Sequence, residues 1–241
     1  MSTPHIVKAF DHELQALMRN TQTMGKFAGL QFAQATHALL HSDWSLAQRV
    51  IDDDRRLDAL RTELSTAAAT VIARRQPLAM DLEEVLATIR IAADLERIGD
   101  LAKNIAKRAT AVAGSQFPAD VVERVDSLAK MAGEHLNSAL DTFMSRDAER
   151  ALVVRQQDAK IDEFYVSIFS ELVNRLGAEP TQAINFVHLL FCAKNIERIG
   201  DHATHIADAA YLIATGRQPE EIRQRSDSSS TMIDTGRKPP A

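Results

Sequence analysis

Apolar and polar residues alternate along this chain with the three-to-four-residue period of an amphipathic helix, and the pattern breaks at only a few places. The breaks predict six long helices. The first runs from near residue 6 to residue 41, and Ser42 or Asp43 is placed to cap the second, which continues to about residue 75. Pro77 closes that segment, and a third helix follows to about residue 113. Gly114, Ser115, Phe117 and Pro118 read as the central linker, with Asp120 placed to cap a fourth helix that extends to about residue 145. Asp147 caps the fifth, Gly177 ends it after Leu176, and Pro180 suits the first turn of a sixth that ends near Gly216. Helices of roughly 30 residues span about 45 Å, and short connections force neighbours to run antiparallel.

The chain also repeats itself. Residues 92–106 agree with residues 193–207 at nine of fifteen positions, around a shared Glu-Arg-Ile-Gly-Asp at 96–100 and 197–201. The second helix of each half repeats as well: an offset of 104 sets Asp43 on Asp147, Ala47 on Ala151, Val50 on Val154, Asp54 on Asp158 and Asp58 on Asp162. The fold class expected is therefore all-α, two tandem three-helix bundles covering residues 1–115 and 119–216. From residue 217 the period stops, and the polar tail 217–241 has too little apolar surface to offset the entropy of ordering, so disorder is expected there.

Composition narrows the class further. Hydrophobic residues at 45% supply a core, while 5% aromatics with few glycines argue for helices over a sheet. A net charge of -5 gives no electrostatic reason to expect nucleic acid as a partner. The single cysteine, Cys192, excludes an internal disulfide and a cysteine-rich zinc site, and its apolar surroundings read as core. The first ten residues hold no signal-peptide core, and no apolar run reaches the roughly 18 to 20 residues of a membrane span. A cytoplasmic protein is expected, with no direct membrane insertion and any membrane association made through a partner.

The candidate chemistry lies in four carboxylate pairs: Asp54 with Asp58, Glu96 with Asp100, Asp158 with Asp162, and Glu197 with Asp201. Residues four apart lie one turn apart on one helix face. If the second and third helices of a half face each other, four carboxylates converge. Charges about 5 Å apart repel by roughly 3 kcal/mol at an effective dielectric of 20, which invites a cation. Oxygen ligands suit magnesium, calcium, manganese or iron, and zinc also accepts carboxylates. Asn104 and His205, one turn beyond each third-helix pair, are placed either to extend the same stripe or to stand as partly exposed polar residues, whereas His202 points about 100° away from Asp201 and is the weaker candidate. The plain alternative for every one of these acids is a solvated face of ion pairs worth a few tenths of a kcal/mol. Recurrence at matched positions in both halves weighs against it. Arg97 and Arg198 are expected to pair with neighbouring carboxylates ahead of binding a phosphate-bearing ligand, and Gly99 and Gly200 mark a close approach by a packed helix or by a metal cluster.

At this point the chain resembles the PhoU family of phosphate-signalling proteins. The resemblance spans about residues 6–216 and rests on the paired Glu-Arg-Ile-Gly-Asp segments together with Asp54/Asp58 and Asp158/Asp162. It implies a cytoplasmic negative regulator of the phosphate-starvation response that links a Pst-type phosphate ABC transporter to a PhoR-type sensor histidine kinase. It also implies a homodimer, and metal ions (iron, zinc, manganese or magnesium) held by the eight carboxylates. Binding without turnover is the expected mode. The rivals are a di-metal carboxylate enzyme and a metal-free helical scaffold. Enzymes of that class usually add Glu-x-x-His pairs, and Gly99 and Gly200 stand where those histidines would be.

Overall fold

The computed structural model describes residues 3–219, so the expected tail lies outside the described residues from position 220 onward. Six helices follow one another: α1 Thr3–Leu40, α2 Trp44–Arg75, α3 Met80–Ala111, α4 Ala119–Ser145, α5 Ala148–Ala178 and α6 Ala183–Thr215, with a 3-10 turn Pro180–Gln182 before the last. Among the described residues there is no strand.

The helix starts show where sequence chemistry acts. Asp43 accepts the backbone N–H of Leu46 at 2.9 Å and Asp147 that of Arg150 at 3.0 Å, each satisfying one orphan donor at the mouth of the second helix of its half. Ser42 turns with φ +55° and does not cap. Asp120 does not cap α4 either. Pro118 occupies the cap position, and Asp120, inside the first turn, pairs with Arg175 of α5. Gly177 stays within α5, which ends at Ala178, and Pro180 opens the 3-10 turn rather than α6. In the central linker Gly114 takes φ +84°, a left-handed conformation that costs glycine nothing and other residues much.

The helices pack as two sets of three, α1 with α2 and α3, and α4 with α5 and α6. The sets meet through α3 against α6 and α1 against α4, while α2 and α5 make no contact with the opposite set among the described residues. One buried cluster runs through both sets, from Phe32, Ile91 and Ile98 to Phe143, Phe186 and Ile199. Each large apolar side chain sealed in this way contributes about 1.5 to 3 kcal/mol. The repeated helices α3 and α6 carry buried small residues in register, Ala92, Gly99, Ala102 and Ala106 against Ala193, Gly200, Ala203 and Ala207. Small side chains let neighbouring axes approach, which suits helices that touch partners on several sides. No helix of the described residues is long and apolar enough to cross a membrane.

Candidate metal centre

In the first half, α2 supplies a buried Asp54 and an exposed Asp58, and α3 supplies Glu96 and Asp100. The gap between them is filled by the protein's own cation. The Lys103 ammonium donates to Asp54 Oδ2 and lies 4.0 Å from Asp100 Oδ1. Its pKa is raised, first by the hydrogen bond to Asp54 and then by the charges of Asp54, Asp100 and Asp58, with burial opposing. Glu96 faces guanidinium groups, Arg61 Nη1 and Arg97 Nε, each at 3.7 Å. Arg97 also donates to Asp100 at 3.2 Å, so the pairing expected for it is present.

The second half is drier and is organised differently. Asp158, Asp162 and Glu197 are only 1%, 2% and 3% exposed. The offset of 101 between the repeats sets Thr204 where Lys103 stands, and the offset of 104 sets His135 on Gln31. The Thr204 hydroxyl donates to Asp158 Oδ1 at 2.9 Å, and its oxygen lies 2.9 Å from His135 Nε2, from which it accepts. Lys194 donates to Glu197 Oε1 at 2.8 Å. Burial pushes the Glu197 carboxyl up to about 7, reinforced by the charges of Asp201 and Asp162 and countered by Lys194.

The close approach marked by Gly99 and Gly200 is made by the second helix of each half. A Cβ on Gly99 would stand 2.2 Å from Leu57 Cδ2, and one on Gly200 would stand 3.3 Å from Ile161 Cδ1 and 3.8 Å from Asp158 Oδ1. Glycine therefore serves to bring the two acidic helices together. Cys192 is wholly buried, and burial raises its thiol to about 12, as befits a core residue.

The fit to a cation rests on the repeated glutamate. Glu96 Oε2 and Glu197 Oε2 are both buried and accept no hydrogen bond, at matched positions of the two halves. A buried acceptor without a donor is costly, and a metal ion is one remedy. In the first half Arg61, Arg97 and Lys103 already stand among the acids; in the second, three of the four acids are almost wholly shielded from water. The residues of α5 and α6 thus fit a metal better than those of α2 and α3.

The tightest ligand geometry lies elsewhere. Among the described residues, one trio of side chains places all its ligand atoms within 4.8 Å of one another, and it is Asp94, His202 and His205. None of the eight predicted acids belongs to it. Asp94 carries no signal in the sequence, and His202, the weaker candidate beside the acidic pair, points away from Asp201. That rotation turns it toward α3, where its Nδ1 meets Asp94 Oδ1 at 2.8 Å. His205 reaches the same oxygen at 3.3 Å, while Asn104 is simply exposed.

These features define a class: an all-helical tandem repeat in which each three-helix unit presents a pair of acids on its second helix to a Glu-x-x-x-Asp pair on its third. A model of the PhoU domain matches residues 21–109 and again 125–210. The chain belongs to the PhoU family. It is 47% identical over 232 residues to the phosphate-specific transport system accessory protein PhoU homolog of Rhizobium meliloti (strain 1021), covering 96% of this chain and 98% of that protein. It is 31% identical over 213 residues to the phosphate-specific transport system accessory protein PhoU of Escherichia coli (strain K12), 88% of each. The crystal structure of PhoU from Pseudomonas aeruginosa superposes with a TM-score of 0.83 at 30% identity, covering 86% of this chain and all of that one.

Proposed function

We propose that this chain is a regulatory accessory protein of a phosphate-specific transport system, acting in the cytoplasm as a non-enzymatic negative regulator of the phosphate-starvation response. The observation that carries the reading is similarity, over nearly its whole length, to proteins named as accessory proteins of the phosphate-specific transport system. The partners are a Pst-type phosphate ABC transporter and a PhoR-type sensor histidine kinase, and the chain works as a homodimer. A surface formed by rigid helix pairs is what those partners read.

Metal ions, iron, zinc, manganese or magnesium, are bound by the carboxylate pairs, with Asp158, Asp162, Glu197 and Asp201 the stronger set and Asp54, Asp58, Glu96 and Asp100 the weaker. The burial of three of the four acids supports that order. A bound cation would supply positive charge and nothing else. The chain's own residues do the rest: Gly200 brings α5 and α6 together, Thr204 and His135 orient Asp158, and Lys194 holds one oxygen of Glu197. Ligand that binds only the folded helix pair stabilises it by mass action.

The test is elemental analysis of the chelator-washed protein, followed by co-purification with the transporter and kinase. The parent should retain stoichiometric metal and both partners. A Glu197→Gln/Asp201→Asn variant should lose the metal and weaken partner binding. Equal background metal and unchanged partner binding in both would return these acids to structural charge.

A further inference from the structure

We propose that Asp94 of α3 with His202 and His205 of α6 forms a binding site for one late first-row divalent ion, with zinc as the probe, distinct from the carboxylate pairs. Three observations carry it. First, the donors come from two helices that belong to opposite halves, so their convergence is a product of the tertiary fold and not of one helix's charge pattern. Second, both imidazoles aim the same atom, Nδ1, at a single carboxylate oxygen, at 2.8 and 3.3 Å. Ligand atoms around a tetrahedral zinc at about 2.0 to 2.1 Å stand roughly 3.3 Å from one another, so small rotations of the three side chains suffice. Third, access is graded. The side chains of Asp94 and His202 are 19% and 16% exposed, whereas His205 is 45% exposed. Two ligands are held in place by packing, and the third forms a door to solvent.

The chemistry is that of a borderline ion. Two imidazole nitrogens and one carboxylate oxygen leave a coordination position for water and favour zinc, nickel or copper over magnesium and manganese, which prefer oxygen alone. The His-x-x-His spacing on α6 puts both rings on one side of the helix, and their centroids lie 5.6 Å apart, edge to face. Loading needs no exchange beyond a tautomer shift. Each neutral ring that donates Nδ1–H to Asp94 moves that proton to Nε2 through solvent and presents its Nδ1 lone pair to the ion. The filled site would tie α3 to α6, which is the main joint between the two halves. The proposal does not depend on the regulatory reading above, and its nitrogen ligands separate it from the all-oxygen pairs, which accept zinc as well.

The experiment titrates zinc into the metal-free full-length chain by calorimetry, with cobalt absorption as a check on nitrogen ligation. The parent is compared with His205→Ala, Asp94→Asn and Asp162→Asn/Glu197→Gln. His205 is exposed enough for its variant to fold, and circular dichroism confirms that each one does. The expected result is one zinc equivalent that survives in Asp162→Asn/Glu197→Gln, weakens at least about tenfold in His205→Ala and Asp94→Asn, and raises the melting temperature of the parent but not of His205→Ala. No zinc binding by the parent would overturn the proposal. So would zinc affinity unchanged in both His205→Ala and Asp94→Asn, or zinc lost only when the carboxylate pair is changed.

Discussion

Replacing Lys103 with methionine removes the ammonium that Asp54 hydrogen-bonds while keeping most of the apolar stem. The side chain of Asp54 is 7% exposed and that of Lys103 is 27% exposed. Exposed pairs are worth about 0.2 to 1 kcal/mol, whereas stripping one partner from a fully buried pair costs about 3 to 5 kcal/mol. A pair with one buried and one partly exposed member falls between, at ~2 kcal/mol, and the acids Asp58 and Asp100 are left to repel Asp54 without relief. For a domain of this size that corresponds to a melting temperature lower by about 4 to 8 °C. Thermal unfolding followed by circular dichroism reads it directly. The hydrogen bond to Asp54 raises the Lys103 pKa, so the stabilisation is fully present below the ordinary lysine value, and the loss should be the same from about pH 6 to 9. Adding Asp54→Asn should recover most of the deficit, because the buried charge goes with its partner. Manganese or magnesium should stabilise Lys103→Met more than the parent, since an ion takes the place the ammonium held. A melting temperature within about 1 °C of the parent would refute the assignment of Lys103 as a built-in cation.

Three further outcomes follow from the same geometry. Gly99→Ala forces Leu57 out of place, so overpacking of about 1 to 3 kcal/mol outweighs the ~1 kcal/mol gained in helix propensity. Gly200→Ala meets Ile161 at 3.3 Å and should be close to neutral; urea unfolding of the two variants side by side checks the contrast. Asp43→Ala and Asp147→Ala each remove a helix cap and should each cost ~1 kcal/mol in the same assay. In the metal-free protein Glu197 keeps its proton to about pH 7, whereas an unfolded glutamate loses it near pH 4.5. Stability should therefore fall by up to ~3 kcal/mol as pH rises through that window and then level off, and Glu197→Gln should flatten the curve.

The acidic pairs were legible because a four-residue spacing fixes a helix face and because the repeat set them at matched positions. Asp43 and Asp147 were legible as caps, each standing at a break in the period. Asp120 and Gly177 misled for local reasons. Pro118 took the cap position, and Arg175 drew Asp120 into an ion pair. Glycine one residue from a helix end is cheap enough for α5 to pass through it. The difference between Lys103 and Thr204 was present in the repeat alignment, but its meaning needed the distance to Asp54 and Asp158. The Asp94, His202 and His205 trio had no sequence signal beyond the His-x-x-His spacing, because the packing of α3 on α6 that completes it joins residues about a hundred positions apart.

The most direct test of the regulatory role is a phosphate-starvation reporter in the native host, with the chromosomal copy deleted and variants supplied in its place. In phosphate-rich medium the deletion should leave the reporter on. The parent chain should switch it off, and Glu197→Gln/Asp201→Asn, expressed at the same level, should fail to do so. A reporter that stays off in the deletion strain would contradict the account, and one silenced equally by parent and variant would contradict the role given to the carboxylates.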